Sequence, residues 1–170
     1  VEAITTANFI ESLSHNDTEP VLEALSKYEY LANKRFLLKN ETDPVKSRTP
    51  LYVAILYKNL ELVEKLLTCG ADINAPVIGH PLNRTENGTI FYHTPLSQAI
   101  RLLNGRPEKE KAQWYKIIEI LLGYEDKINW SQNVGSVQES SNYGWTMLCG
   151  GGPELLKFVF DRIKPENKNI

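Results

Sequence analysis

Cysteine is scarce in this sequence, and its two cysteines, Cys69 and Cys149, lie in unrelated surroundings. Two isolated thiols form neither a disulfide framework nor a zinc site, since both require closely spaced sets of ligands. No basic segment followed by an apolar one opens the chain, so we expect no secretory leader. These observations predict a reducing, intracellular location, which is the cytoplasm.

Long apolar runs and an excess of one charge are also missing. The longest apolar run, Leu51–Tyr57, is far shorter than the roughly 20 residues that cross a bilayer. Lys and Arg number 19 against 21 Asp and Glu, a formal charge of −2 that offers nucleic acid no electrostatic attraction. The three histidines show no metal-ligand spacing, and no glycine-rich phosphate loop is present. We therefore expect no membrane insertion, nucleic acid, metal or cofactor.

What the sequence does contain is a repeat. Each copy begins with Thr-Pro-Leu, continues through a pair of bulky aliphatic residues and ends with Ile-Asn. These three elements lie at 49–51, 66–67 and 73–74 in the first copy and at 94–96, 121–122 and 128–129 in the second. A weaker third start is Thr146-Met147-Leu148. Because separate blocks recur in the same order, the similarity indicates a structural repeat.

The first copy predicts two short helices joined by a tight turn. Thr49 is suited to cap a helix, and Pro50 fits the first helical position because its missing N–H is not needed there. Apolar residues then follow at helical spacing in 51–55 and again in 62–67. Gly70 is placed to end the second helix in a left-handed conformation. Neither helix can bury its apolar face alone, so such units must stack.

Arg48–Ala75 resembles the ankyrin repeat in its Thr-Pro-Leu start, its central Ala54, its paired leucines and its Gly70–Ala75 ending, all in register. A second unit, His93–Trp130, keeps both ends but carries about ten extra residues around Asn104–Gln113. We expect this insertion to protrude near Pro107, with 108–113 extending the second helix. The third unit resembles a degenerate terminal cap.

The resemblance implies an all-α fold, an ankyrin-repeat solenoid of three to four helix pairs. The insertion between the first two units departs from the family, and its Asn87-Gly88 pair predicts a hairpin, so we expect a β-finger insertion there. We predict one domain over 1–170. Its parts are an N-terminal helix pair at 5–38, a repeat at 48–76, the finger at 77–92, a repeat with an inter-helix insertion at 93–130 and a C-terminal cap at 145–164. A second long loop is expected at 132–142.

One departure from the family concerns the position after Thr-Pro-Leu. Members of the family usually have His there, and its imidazole links neighbouring units through hydrogen bonds. Tyr52, Ser97 and Cys149 stand at that position here. We therefore expect stability to depend more on apolar stacking.

The resemblance also implies that the chain binds another protein. We expect the chain to be a monomer when alone. Members of the family bind partners through hairpin tips and the outward surface of the first helices, which line a concave face. By register, the tip and first-helix positions are Lys46, Arg48, Leu56, Tyr57, Phe91, Tyr92, His93, Arg101, Tyr143 and Trp145. Aromatic and arginine side chains of this kind anchor interfaces. The alternative for Phe91 and Tyr92 is that they pack the finger onto the repeats.

Two alternative functions and one more specific setting for the binding function remain open. The chain begins with Val rather than Met, which fits a targeting domain cut from a larger enzyme. Its composition and insertions resemble those of a bacterial or viral effector acting in a host cytosol. A cysteine hydrolase would use Cys149 as nucleophile beside Gly150–Gly152, with His80 or His93 as base. The repeat pattern, however, places Cys149 at a helix start, so we interpret it as structural and predict no enzyme.

Overall fold

The computed structural model describes residues 2–38, 40–43, 46–75, 94–129 and 152–168. Over these ranges the chain forms seven α-helices and no strand, which confirms the all-α class. The helices are α1 Glu2–Ser14, α2 Thr18–Lys27, α3 Pro50–Leu56, α4 Leu60–Thr68, α5 Pro95–Asn104, α6 Glu108–Leu122 and α7 Gly152–Arg162. Short 3₁₀ helices follow at Glu29–Asn33, Glu125–Lys127 and Pro165–Lys168.

The helices pack as pairs that are stacked side by side. α1 packs on α2, α3 on α4 and α5 on α6. Between pairs, α1 contacts α3 and α3 contacts α5, while α2 contacts α4 and α4 contacts α6. The first helices of the pairs therefore form one layer and the second helices another, and α7 extends the second layer beyond α6. A continuous apolar core lies between the two layers.

The start of each Thr-Pro-Leu helix is capped as the sequence predicts. Thr49 Oγ1 accepts a hydrogen bond from the Tyr52 N–H at 3.2 Å, and Pro50 is the first helical residue. Thr94, which is completely buried, forms a reciprocal capping box with Ser97. At the other end of the first unit Gly70 has φ +86°, the left-handed conformation expected after α4.

The extra residues of the second unit lengthen its helices and form no separate loop. Both α3–α4 and α5–α6 are joined by three-residue linkers, 57–59 and 105–107. In contrast, α5 has 10 residues against 7 in α3, and α6 has 15 against 9 in α4. The prediction that 108–113 extends the second helix is thus correct.

Asparagine side chains link neighbouring units at the opposite end from these linkers. Asn33 donates a hydrogen bond of 2.9 Å to the backbone of the turn at 70–72 and accepts one of 2.7 Å from it. Asn74 makes the equivalent pair of bonds, 2.8 and 2.7 Å, to the backbone at 127–129. These bonds are exposed and add to the apolar core between the layers, so the greater dependence of stability on apolar stacking stays a prediction. Polar bonds also cross between the units at these turns, and asparagine side chains make them.

Several predicted features lie outside the described residues. They are the β-finger at 77–92, the loop at 132–142, the first part of the cap from 145, and the cysteine hydrolase residues His80, His93, Cys149 and Gly150–Gly151.

Candidate partner-binding surface

The exposed end of α3 is the most apolar part of the predicted binding surface that the structure describes. All six residues from Pro50 to Ile55 are buried, because α3 lies between α1 and α5 and covers α4. Leu56 and Tyr57 then remain 40% and 45% exposed. The Tyr57 hydroxyl donates to the Ser14 carbonyl, which fixes the ring against the neighbouring helix pair. The two predicted side chains therefore form an ordered apolar surface.

Arg101 lies on the adjacent helix, at the position in α5 that Leu56 occupies in α3. Each is the seventh residue after the capping threonine of its unit. Arg101 is exposed, and its Nε donates to Gln98 Oε1 at 3.3 Å. Its charge also reaches Tyr52 on α3: burial raises the pKa of the Tyr52 phenol, and the charges of Arg48 and Arg101 oppose this rise. Arg101 thus lies on the helix that packs beside α3, at the register position of Leu56.

The structure places Arg48 in an internal ion pair. Its two terminal nitrogens contact the two carboxylate oxygens of Glu41 at 3.0 and 3.3 Å, and its backbone exchanges hydrogen bonds with Phe36. Paired guanidinium and carboxylate groups of this geometry are strong and directional. Arg48 therefore fastens the segment that leads into α3. Lys46, two residues earlier, is partly exposed.

Glu41 is expected to make the stability of this segment depend on pH. The Leu38 N–H donates to Glu41 Oε2 at 3.0 Å, and this bond is the main reason that the pKa of Glu41 lies below its ordinary value. Desolvation opposes the effect and Arg48 adds to it. A carboxyl with a lowered folded-state pKa stabilises the fold above its unfolded pKa, and this contribution disappears as the pH falls through the folded pKa. We predict that Glu41→Gln lowers the free energy of unfolding at pH 7 but has little effect at pH 2. Urea titrations at both pH values test this, and an equal loss at both would show that charge is not involved.

A contact that the sequence did not predict lies beside the α3–α4 linker. Trp114 of α6 is 1% exposed, and two cations lie near its ring. Lys58 Nζ is 6.0 Å from the ring centroid and the guanidinium carbon of Arg106 is 5.9 Å from it. Lys58 comes from the preceding unit, where its φ of +54° turns the chain after Tyr57. This contact joins the linkers of the two units.

The remaining predicted site residues lie outside the described part of the chain. They are Phe91, Tyr92, His93, Tyr143 and Trp145. Among the residues that are described, no cluster of His, Cys, Asp or Glu is arranged to hold a metal ion. The described helices include none with the length and apolar character needed to cross a bilayer.

Comparison with known proteins identifies one segment. Residues 46–75 match the family model of the ankyrin repeat, which confirms the resemblance found in Arg48–Ala75. The ankyrin repeat is a protein–protein interaction motif. No curated protein and no solved structure matches the chain. The matched segment contains α3, α4 and the exposed pair Leu56 and Tyr57.

Proposed function

We propose that this chain is a protein–protein interaction module that binds a partner through the layer of first helices. The observation that carries the proposal is the exposed apolar end of α3, Leu56 and Tyr57, with Arg101 at the equivalent position of α5. Apolar and arginine side chains on an ordered surface are typical of binding sites. The rest of α3 is buried, so this exposure is confined to the predicted binding positions.

The stacked helix pairs support this proposal because they hold the surface rigidly. α3 is packed on three sides, and Thr49 and Tyr57 fix its two ends. A surface that is already ordered loses little conformational freedom on binding, which favours affinity. In this proposal the pairs form an ankyrin solenoid whose first helices line a concave face. The finger at 77–92 and the tip residues Phe91, Tyr92, His93, Tyr143 and Trp145 would extend that face, and their contribution stays a prediction.

The proposed role is binding, with any catalysis supplied by another protein or another domain. A targeting domain of a larger enzyme and an effector in a host cytosol would both use this surface in the same way. The surface supports the activity that a targeting domain and an effector share, which is recognition of another protein.

Site-specific photo-crosslinking tests the proposed function. A photoreactive amino acid at Leu56 is expected to crosslink a protein from cell lysate, because the side chain is exposed where the partner should lie. The matched control is the same amino acid at Glu64, which is exposed on α4 in the other layer. A partner that crosslinks at Leu56 and not at Glu64, and that binds the parent chain after purification, supports the proposal. Equal crosslinking at both positions, or none at Leu56, would reject it.

A further inference from the structure

The longer helices of the second unit produce a step beside the first unit. Measured from the equivalent pairs Leu66-Leu67 and Leu121-Leu122, α6 begins about two turns before the level at which α4 begins, which is roughly 10 Å. The α5–α6 linker therefore overhangs the α3–α4 linker. Residues 104–109 of this overhang are all exposed. The structure thus has a corner between the end of α3 and the projecting end of the α5–α6 pair.

This corner carries both cationic and apolar side chains. We define the linker step as Leu56, Tyr57, Lys58, Arg101 and Arg106. Two of its members are close to the same ring, since Lys58 Nζ lies 6.0 Å and the guanidinium carbon of Arg106 5.9 Å from the Trp114 ring centroid. Leu56 and Tyr57 precede Lys58 directly, and Arg101 is on the helix that packs against α3.

The positive charge of the linker step is only partly compensated. Arg106 is 4.0 Å from Glu110, a weak contact between exposed side chains. Among the described residues neither Lys58 nor Arg101 forms an ion pair. The chain as a whole has a formal charge of −2. The local charge of the step is therefore opposite in sign to the net charge of the chain. An anionic partner segment would therefore be attracted to the step.

The apolar members of the step restrict what the anionic partner can be. Leu56 and Tyr57 are the two large apolar side chains of the described first-helix layer that are more than a third exposed. A purely ionic ligand such as a polyphosphate would leave them uncovered. A peptide that carries carboxylates next to an apolar side chain would cover them and meet the cations.

We propose that the linker step binds an acidic peptide segment of the partner protein, with its carboxylates on Lys58 and Arg101 and an apolar side chain on Leu56 and Tyr57. This inference rests on the proposed protein-binding function and specifies the chemistry of the partner. The Arg101 guanidinium can offer two parallel N–H groups to a carboxylate, while Lys58 acts as a point charge. Binding of this kind weakens as salt screens the charges.

A displayed library of random dodecapeptides, selected against the whole chain, tests the proposal. We expect the selected peptides to be enriched in Asp and Glu next to a bulky apolar residue. A synthetic copy of the most enriched peptide is then titrated by fluorescence anisotropy against the parent chain and its variants. The affinity should fall when NaCl is raised from about 50 to about 300 mM.

The decisive comparison uses two variants with the same change in net charge. Lys58→Glu combined with Arg101→Glu reverses the two unpaired cations of the step, and we expect the peptide affinity to fall by at least about tenfold. Lys65→Glu combined with Lys116→Glu reverses two cations of the second-helix layer, and we expect a change of less than about twofold. Circular dichroism and thermal unfolding check each fold. If the first variant does not fold, Lys58→Gln with Arg101→Gln replaces it, with a smaller loss expected in the same direction.

The outcomes separate this inference from the proposed function. Selection of neutral or basic peptides, selection of none, or an equal loss in both variants would overturn the acidic-peptide proposal. Displacement of the peptide by an RNA oligonucleotide at equal concentration would also overturn it, because the step would then be a general polyanion site. None of these results affects crosslinking of a partner at Leu56, which tests the protein-binding function by itself.

Discussion

Replacing Trp114 with Ala should lower the free energy of unfolding by about 3–5 kcal/mol. Among the fully buried side chains of the described residues, that of Trp114 has the largest volume. It lies where the second unit packs against the linker of the first. Removing the indole leaves a cavity that the surrounding helices can fill only in part. It also removes the ring that holds Lys58 and Arg106 together. Urea-induced unfolding, followed by circular dichroism, measures the loss.

Trp114→Phe is the matched control, and we expect it to change stability by less than about 1.5 kcal/mol. The indole Nε1 is buried and has no hydrogen-bond acceptor among the described residues. A buried donor without a partner costs about 1–3 kcal/mol, and Phe removes that cost while keeping an aromatic ring near the two cations. The gain offsets part of the lost volume. If Phe destabilises the protein as much as Ala does, the indole N–H contributes a bond and this account of Trp114 is wrong.

Replacing Asn74 with Ala should destabilise the protein by about 1–3 kcal/mol, since its side chain makes two hydrogen bonds to the backbone of the next unit. Few other described polar contacts connect the first repeat with the second, so the loss should also make unfolding less cooperative. In stacked repeats, stability depends on the interfaces between neighbouring units as well as on each unit. Urea-induced unfolding measured by both tryptophan fluorescence and circular dichroism would report this as separated transitions.

Asn74→Asp distinguishes the two bonds that Asn74 makes. The carboxylate still accepts from the Asn129 N–H but cannot donate to the Lys127 carbonyl. We therefore expect a loss between zero and that of Asn74→Ala at pH 7. An Asp variant that is less stable than the Ala variant would indicate repulsion of the carboxylate by the Lys127 carbonyl. Stability equal to that of the parent in both variants would show that water replaces these exposed bonds without cost.

The first repeat could be predicted from the sequence because its signals are local. A capping threonine, a proline at the first helical position and a terminal glycine act within a few residues of their own position. The structure has all three where the pattern puts them, at Thr49, Pro50 and Gly70. The extended start of α6 was predictable for the same reason, since its composition is polar and suited to a helix.

The contacts between units could not be predicted in this way. Asn33 and Asn74 bind backbone groups 37 to 55 residues away, and an asparagine in a turn gives no indication of that distant partner. The contact between Trp114 and Lys58 could not be predicted for the same reason, because it depends on how far α6 extends past the neighbouring linker. The one available signal was that Trp114 precedes Leu121 by as many residues as Asn59 precedes Leu66. This equal spacing puts Trp114 level with the α3–α4 linker.

The candidate site was predictable in part. Counting from each capping threonine correctly assigned Leu56 and Arg101 to exposed positions. The same register could not show that Arg48 is held by Glu41, because that carboxylate lies in an irregular segment before the helix. A charged tip residue can therefore be assigned to partner binding only after the structure shows whether it already forms an ion pair within the chain.

The most direct test of the central claim is the affinity of the partner that crosslinks at Leu56, measured by isothermal titration calorimetry with purified proteins. We expect Leu56→Asp to weaken binding by at least about tenfold, because it places a carboxylate where the apolar contact should form. Glu64→Ala, in the other layer, should bind like the parent chain. Equal affinity of Leu56→Asp and the parent would contradict the claim that the end of α3 is the binding surface.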